Sequence, residues 1–275
     1  MKMRTTSRAL GFTLVELLVV IAIIALLIAI ILPSLSKARK SAQNIGCLSN
    51  LRGWGQAIAL YATENRTQYW IDWGNYPPPG TGQGTWMRVL STYYRNVDRF
   101  RLCPSATEPT NTWGSLTFMA WGPIPQAAGF LFDPKDSGSY GINHWINDLP
   151  KSGPFTGGWR NRPDLQWRRF GGAGLGKSTI SPIVGDCEWY GGSPMDLASA
   201  TTFGAVTSVE NALYKQLYGM PNSWYYDLSR FSMNRHDRGT NMAFEDGSAR
   251  HVDKPELWTL NWYKGFRPAK VSVPY

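Results

Sequence analysis

From Phe12 to Leu32 the chain reads FTLVELLVVIAIIALLIAIIL, apolar throughout save for Thr13 and Glu16. At about 1.5 Å per residue, a helix of this length spans about 30 Å, the thickness of a bilayer core. Pro33 follows. It lacks an N–H and clashes with the preceding turn, so it is expected to bend the helix without ending it. Beyond it, apolar positions recur at spacings of three and four: Leu35, Ala38, Ala42, Ile45, Leu48, Leu51, Gly55, Ile58 and Ala62. That is the pattern of an amphipathic helix, with Lys37, Arg39, Lys40, Gln43, Asn50 and Arg52 on the other face. One helix is therefore predicted from about Phe12 to about Asn65, about 80 Å long. Gly46, Gly53 and Gly55 weaken it locally. Partial melting and close backbone packing are both open explanations for them.

From Arg66 onward the pattern breaks up. Tyr76–Gly80, Gly122–Pro125, Gly153–Gly158 and Gly171–Gly176 are rich in Pro and Gly and read as loops. Between them lie short strand candidates at Leu116–Trp121, Ser139–Asn143, Ile183–Trp189, Thr240–Phe244 and Ala249–Asp253. The last two flank Glu245-Asp246-Gly247-Ser248, a hairpin signal. Trp86–Tyr94 reads as a short helix. No internal repeat is present. The sum is an α+β fold, a long hydrophobic N-terminal helix packed on a mostly antiparallel sheet.

Composition sharpens this picture. Only 17% of the 275 residues are charged and 13% are aromatic, with 13 Trp, which describes a folded head rather than a disordered chain. The formal charge is +9. Lys2, Arg4 and Arg8 precede the apolar run and place its N-terminal side in the cytoplasm by the positive-inside rule, so the bulk of the chain lies across the membrane. The other basic residues, such as Arg160, Arg162, Arg168 and Arg169, are scattered and fit no nucleic-acid motif. Of the three cysteines, Cys47, Cys103 and Cys187, no pair has CxxC spacing, which argues against a zinc or thioredoxin-like site. Outside the cytoplasm, one disulfide and one leftover thiol is the natural count.

A secretory signal peptide cut after Ser34-Leu35-Ser36 and a plain signal anchor both fit the hydrophobic run, but neither explains Glu16. A carboxylate in such a run costs a few kcal/mol in lipid and marks function by default. Gly11-Phe12-Thr13-Leu14-Val15-Glu16 resembles the prepilin processing motif of type IV pilins and type II secretion pseudopilins. The resemblance implies cleavage after Gly11 by a membrane prepilin peptidase, methylation of Phe12, Glu16 as the assembly carboxylate and Pro33 as the helix kink. It divides the chain into a cleaved leader (1–11), a transmembrane half-helix (12–33), an amphipathic half-helix (34–65) and an extracytoplasmic head (66–275). It also implies a pilin-like fold, a single-pass inner-membrane location, and three further partners: other pilin or pseudopilin subunits, an inner-membrane assembly platform and membrane lipid. A buried unpaired charge is costly, so pairing of Glu16 with a neighbour's Phe12 amine would favour one axial register.

His236, nine residues and then Asp246-Gly247 resemble the H-x9-DG signature of a family of prepilin-type proteins. Cys47-Leu-Ser-Asn-Leu51, Leu102-Cys103-Pro104-Ser105 and Ser139-Tyr140-Gly141-Ile142-Asn143 agree with that family. Because Cys47 and Cys103 both sit in these motifs, a disulfide between them is expected, tying helix to head, while Cys187 is read as core. A catalytic His236 would need Asp246 or Asp237 as partner, and no Ser or Cys stands in a nucleophile context, so the chain is read as a non-enzyme and His236 as a hydrogen-bonder beside the hairpin turn. No cofactor is required. Glu245, Asp246 and Asp253 could supply oxygens to calcium, as major pseudopilins do in a C-terminal loop, although EF-hand spacing is absent. Gly171–Ser178 fits the P-loop expression, but Pro182 follows too soon for the required helix. Trp70, Trp73, Trp159 and Trp167 offer an alternative role, glycan stacking at a filament tip or membrane-anchored surface.

Overall fold

Helix α1 runs without interruption from Leu14 to Glu64, through Pro33. The computed structural model describes residues 13–65, 69, 86–94, 100–107, 117–122, 137–146, 178–189, 191, 192, 194, 196, 228–231 and 234–271. The chain divides after Ala42 into two units, each considered by itself. In the first, the side chains from Leu14 to Leu32 are exposed, and this stretch is long and apolar enough to cross a membrane. The Ser34 hydroxyl donates to the Ile31 carbonyl beside Pro33 (2.8 Å), a local backbone contact of the kind small hydroxyls make in helices.

In the second unit, which begins at Gln43, α1 buries Cys47, Leu51, Trp54, Gly55, Ala57, Ile58 and Ala62. The predicted stripe is realised only in part. Leu35, Ala38, Ala42 and Ile45 are exposed, and the buried face is set instead by Cys47 and Trp54, whose bulk and burial the simple apolar count missed. Close packing accounts for two of the helix glycines. A Cβ on Gly53 would lie 2.8 Å from the Phe100 ring, and one on Gly46 would lie 3.1 Å from Pro104.

Among the described residues the sheet has five strands: β1 (Tyr140–Asn143), β2 (Pro182–Asp186), β3 (Gly191–Gly192), β4 (Gly239–Phe244) and β5 (Ala249–Asp253), in the order β3-β1-β2-β4-β5. All pairs are antiparallel except β1 with β3. The α+β architecture is therefore as read from the sequence: a long apolar N-terminal helix and a mostly antiparallel sheet, pilin-like in arrangement. The β4–β5 hairpin forms where expected, with Gly247 at a positive φ of 82° in its turn. Leu116–Trp121 does not form a strand over its described residues; Met119 and Trp121 make only isolated bridges, to Thr107 and Gly138. Trp86–Val89 forms α2, continued by a 3-10 turn through Thr92.

Alternation along the strands serves two cores. On one face Tyr140, Ile142, Val184 and Ala243 pack with Leu51, Trp54 and Ile58 of α1 and with Trp86 and Leu90. On the other, Met242, Phe244 and Val252 pack with Trp258, Trp262, Tyr263 and Phe231, the last from the short helix α3 (Leu228–Phe231). This second cover explains why β1, β2 and β4 are buried at every position.

Gly141 sits where no side chain fits: a Cβ would meet the Cys187 Cβ and the Trp189 carbonyl oxygen, each at 2.6 Å. Because one of those atoms is backbone, Gly141→Ala is expected to destabilise the head by about 1–3 kcal/mol, read as a lower thermal midpoint by tryptophan fluorescence.

Candidate functional site

Glu16 lies in the first turn of α1, and its carboxylate faces its own helix start. Glu16 Oε2 accepts the Thr13 N–H (2.9 Å) and the Thr13 hydroxyl (2.8 Å), while Thr13 Oγ1 accepts the Glu16 N–H (3.3 Å). This is a reciprocal capping box, which satisfies backbone donors that a helix start leaves open. The carboxylate therefore has a local partner within its own helix start. Gly11 and Phe12 lie outside the described residues.

The second constellation is buried in the head. Three side chains of α1 donate to alternate carbonyls of one segment: Trp54 Nε1 to Phe100 (3.0 Å), Asn50 Nδ2 to Leu102 (3.1 Å) and Gln43 Nε2 to Pro104 (3.0 Å). That ladder sets Cys103 against Cys47. The Cys103 N–H is further held by the Ser139 hydroxyl (2.5 Å). From the sheet side, Asp186 ends β2. His236 enters through a tight turn closed by its bridge to Gly239, with Asp237 at a φ of 59°.

Cys47 Sγ donates to Asp186 Oδ2 (3.3 Å). His236 Nε2 lies 3.2 Å from both Asp186 Oδ2 and Cys103 Sγ. Arg235 donates to Asp186 Oδ1 (3.0 Å) and to the Thr117 and Ser139 carbonyls, and the Asn241 N–H reaches Asp186 Oδ2 (3.1 Å). All these side chains are buried.

The charges answer one another. Burial alone would protonate Asp186, but His236 and Arg235 hold its carboxyl below the usual range. Burial opposes charge on His236 too, yet its contacts with Asp186 and Cys103 raise it to about 9. Burial pushes the Cys103 thiol up, but hydrogen bonding from Cys47 and the His236 cation bring it down to about 7. Cys47 goes the other way, raised by burial and by its anionic neighbours. The Asp186 carboxylate thus faces the Arg235 guanidinium and the His236 imidazolium, and the Cys103 thiol beside His236 is drawn toward ionisation near neutral pH. In the reduced, chelator-treated chain, Cys103 is expected to ionise with a midpoint near 7. His236→Asn should move that midpoint upward by about one unit or more. Thiolate ultraviolet absorbance during a pH titration, with Cys103→Ser as the blank, checks it.

Cys47 and Cys103, expected to be bonded, are brought together and stand as free thiols in this structure. The partner of His236 is Asp186, not Asp246 or Asp237. Nor does His236 stand beside the hairpin turn: it precedes β4, whereas Asp246 and Gly247 follow it. Asp246 Oδ1 accepts the Ser248 N–H (2.9 Å) and hydroxyl (2.6 Å), shaping the turn. Glu245 and Asp246 lie at one end of β5 and Asp253 at the other, so the acids considered for calcium are not gathered. Asp186 was missed, although an acid closing the apolar run Pro182-Ile-Val-Gly185 was a signal. Ser178 is followed by β2 from Pro182, not by a helix, while Gly171–Lys177 and the tryptophans considered for glycan binding lie outside the described residues. The centre is also not built as a hydrolytic triad. His236 faces Cys103 and Asp186 through the same nitrogen, so it cannot relay a proton between them.

Residues 6–32 match the family model described as the prokaryotic N-terminal methylation motif. The N-terminus is of the prepilin type. No curated protein and no solved structure matches the chain. The motif supports a prepilin-type substrate of prepilin peptidase. In this prepilin-like chain the matched segment is the apolar, exposed part of α1, compatible with a single-pass anchor.

Proposed function

We propose that the chain is a structural subunit of a type IV pilus or type II secretion-like filament. Prepilin peptidase cuts it after Gly11 and methylates Phe12. Before assembly it is held in the inner membrane by the first part of α1, N-terminus in the cytoplasm and head on the far side. An assembly platform then draws it from lipid into contact with neighbouring subunits, whose helices take the place of lipid around Leu14–Leu32. Glu16 pairs with the new Phe12 amine of an adjacent subunit, and the cost of burying either charge alone selects the axial register.

One observation carries this reading: a methylation motif over residues 6–32 that places a carboxylate in an otherwise apolar, exposed helix. Mass spectrometry of the mature N-terminus is the test. A chain beginning at N-methylated Phe12 is the expected result; a chain beginning at Lys37 would show conventional secretion and overturn it.

A further inference from the structure

We propose that Cys47, Cys103, Asp186 and His236 form a structural zinc site that fastens α1 to the head. It would add a metal to a chain whose sequence called for none, and it stands or falls independently of which filament the chain enters.

The four ligand atoms, two sulfurs, one carboxylate oxygen and one ring nitrogen, all lie within 4.8 Å of one another, and all four residues are buried. Zinc bonds of about 2.3 Å to sulfur and 2.0–2.2 Å to nitrogen or oxygen put tetrahedral ligand atoms about 3.3–3.8 Å apart. Three edges of the cluster already measure 3.2, 3.2 and 3.3 Å. These three are within a few tenths of an ångström of tetrahedral spacing, and the other three edges lie within 4.8 Å, so small side-chain adjustments close the four atoms around one ion. Two thiolates with one imidazole and one carboxylate favour zinc over calcium or magnesium, which seek oxygen alone.

The surroundings match a metal site as well. Arg235 holds Asp186 Oδ1 and leaves Oδ2 facing the sulfurs. The Ser105 N–H points at Cys103 Sγ (3.4 Å) and the Tyr140 hydroxyl at Cys47 Sγ (3.6 Å). Such donors stabilise metal-bound thiolates, and the carboxylate's own hydrogen bond fixes its orientation. Charge closes too. Zn2+ with two thiolates, the Asp186 carboxylate, a neutral His236 and the Arg235 cation sums to zero, so no net charge is buried.

A disulfide is the competing use of the same sulfurs. It would need neither a buried carboxylate nor an imidazole within hydrogen-bond reach, and an apolar shell would serve it better. A redox or hydrolytic role would need access for a substrate, which full burial denies. A closed four-ligand site is the arrangement of structural zinc, whose binding free energy becomes folding free energy. The ligands come from α1, the segment between α2 and β1, the end of β2 and the turn before β4, so one ion would join all four.

The test uses the full chain in detergent, purified without chelator. About one zinc per chain is expected by elemental analysis, with loss on chelation lowering the thermal midpoint and Zn2+ restoring it. Cys47→Ser/Cys103→Ser should lower zinc content at least tenfold. Because that variant could also fail to fold, Co2+ is added to the chelated wild-type chain as a second probe. Thiolate-to-cobalt charge-transfer bands with tetrahedral visible bands support the site. Their absence overturns it, as does a Cys47–Cys103 disulfide found by non-reducing mass mapping in chain isolated from its native compartment.

Discussion

Asp186→Ala is expected to cost the head about 3–5 kcal/mol, the penalty for leaving a buried charge without its partner. Against a total stability of about 5–15 kcal/mol for an ordinary domain, that is enough to unfold much of the population. Arg235 would lose its only carboxylate partner among the described residues at a site where both side chains are fully buried. The Asn241 N–H and the Cys47 thiol would lose their acceptor as well. Asp186→Asn keeps the shape and one acceptor oxygen, so it should fall between wild type and alanine. Asp186→Leu with Arg235→Met removes both charges and should recover part of the loss. Recovery stays partial, because Arg235 also donates to the Thr117 and Ser139 carbonyls at 2.7 Å each, and each hydrogen bond lost costs about 0.5–1.5 kcal/mol. Urea unfolding followed by tryptophan fluorescence measures all four chains. An alanine variant within about 1 kcal/mol of wild type would mean that water reaches the centre and that the ion pair carries little.

The sequence displayed the helix and hairpin plainly and the buried centre hardly at all, for a physical reason. Helix α1 and the β4–β5 hairpin are local: their periodicity and turn residues lie within a few positions of one another. The predicted bounds, Phe12–Asn65 and Ala249–Asp253, differ from the observed ones by at most two residues. The centre is non-local. Its residues sit at 47, 103, 186 and 236, so spacing rules for metal or redox motifs, which depend on neighbouring ligands, had nothing to grip. Short motifs did point to three of the four. Cys47 and Asn50 lie in one, Cys103 and Pro104 in another, and the structure shows these two docked by side-chain-to-carbonyl bonds. His236 and Asp246-Gly247 looked like one functional unit. They are instead the two ends of β4, one feeding the buried centre and the other shaping a surface turn. The shift of the buried face of α1 toward Cys47 and Trp54 has the same origin. Which stripe is covered depends on where the head sits, and that is decided by residues far along the chain.

Glu16→Gln is expected to leave cleavage after Gly11 intact and to reduce incorporation into the filament at least tenfold. The carboxylate has two possible jobs, and their magnitudes separate them. As the N3 member of a capping box it bonds to Thr13, and losing a cap costs about 0.5–2 kcal/mol. As the partner of a buried amine, its removal leaves a charge unpaired, at about 3–5 kcal/mol. Glutamine serves well at N3 of a capping box, so Glu16→Gln spares the first job and abolishes the second. Thr13→Ala does the reverse, weakening the cap while keeping the charge. If pairing between subunits is what matters, Glu16→Gln and Glu16→Ala should both be excluded from filaments, with Thr13→Ala incorporated nearly as well as wild type. Quantifying each variant in sheared filaments against its membrane pool gives the ratio directly. Should Glu16→Gln assemble like wild type while Thr13→Ala and Glu16→Ala fail together, the carboxylate is a helix cap alone, and the register must be set by the apolar side chains between Leu14 and Leu32.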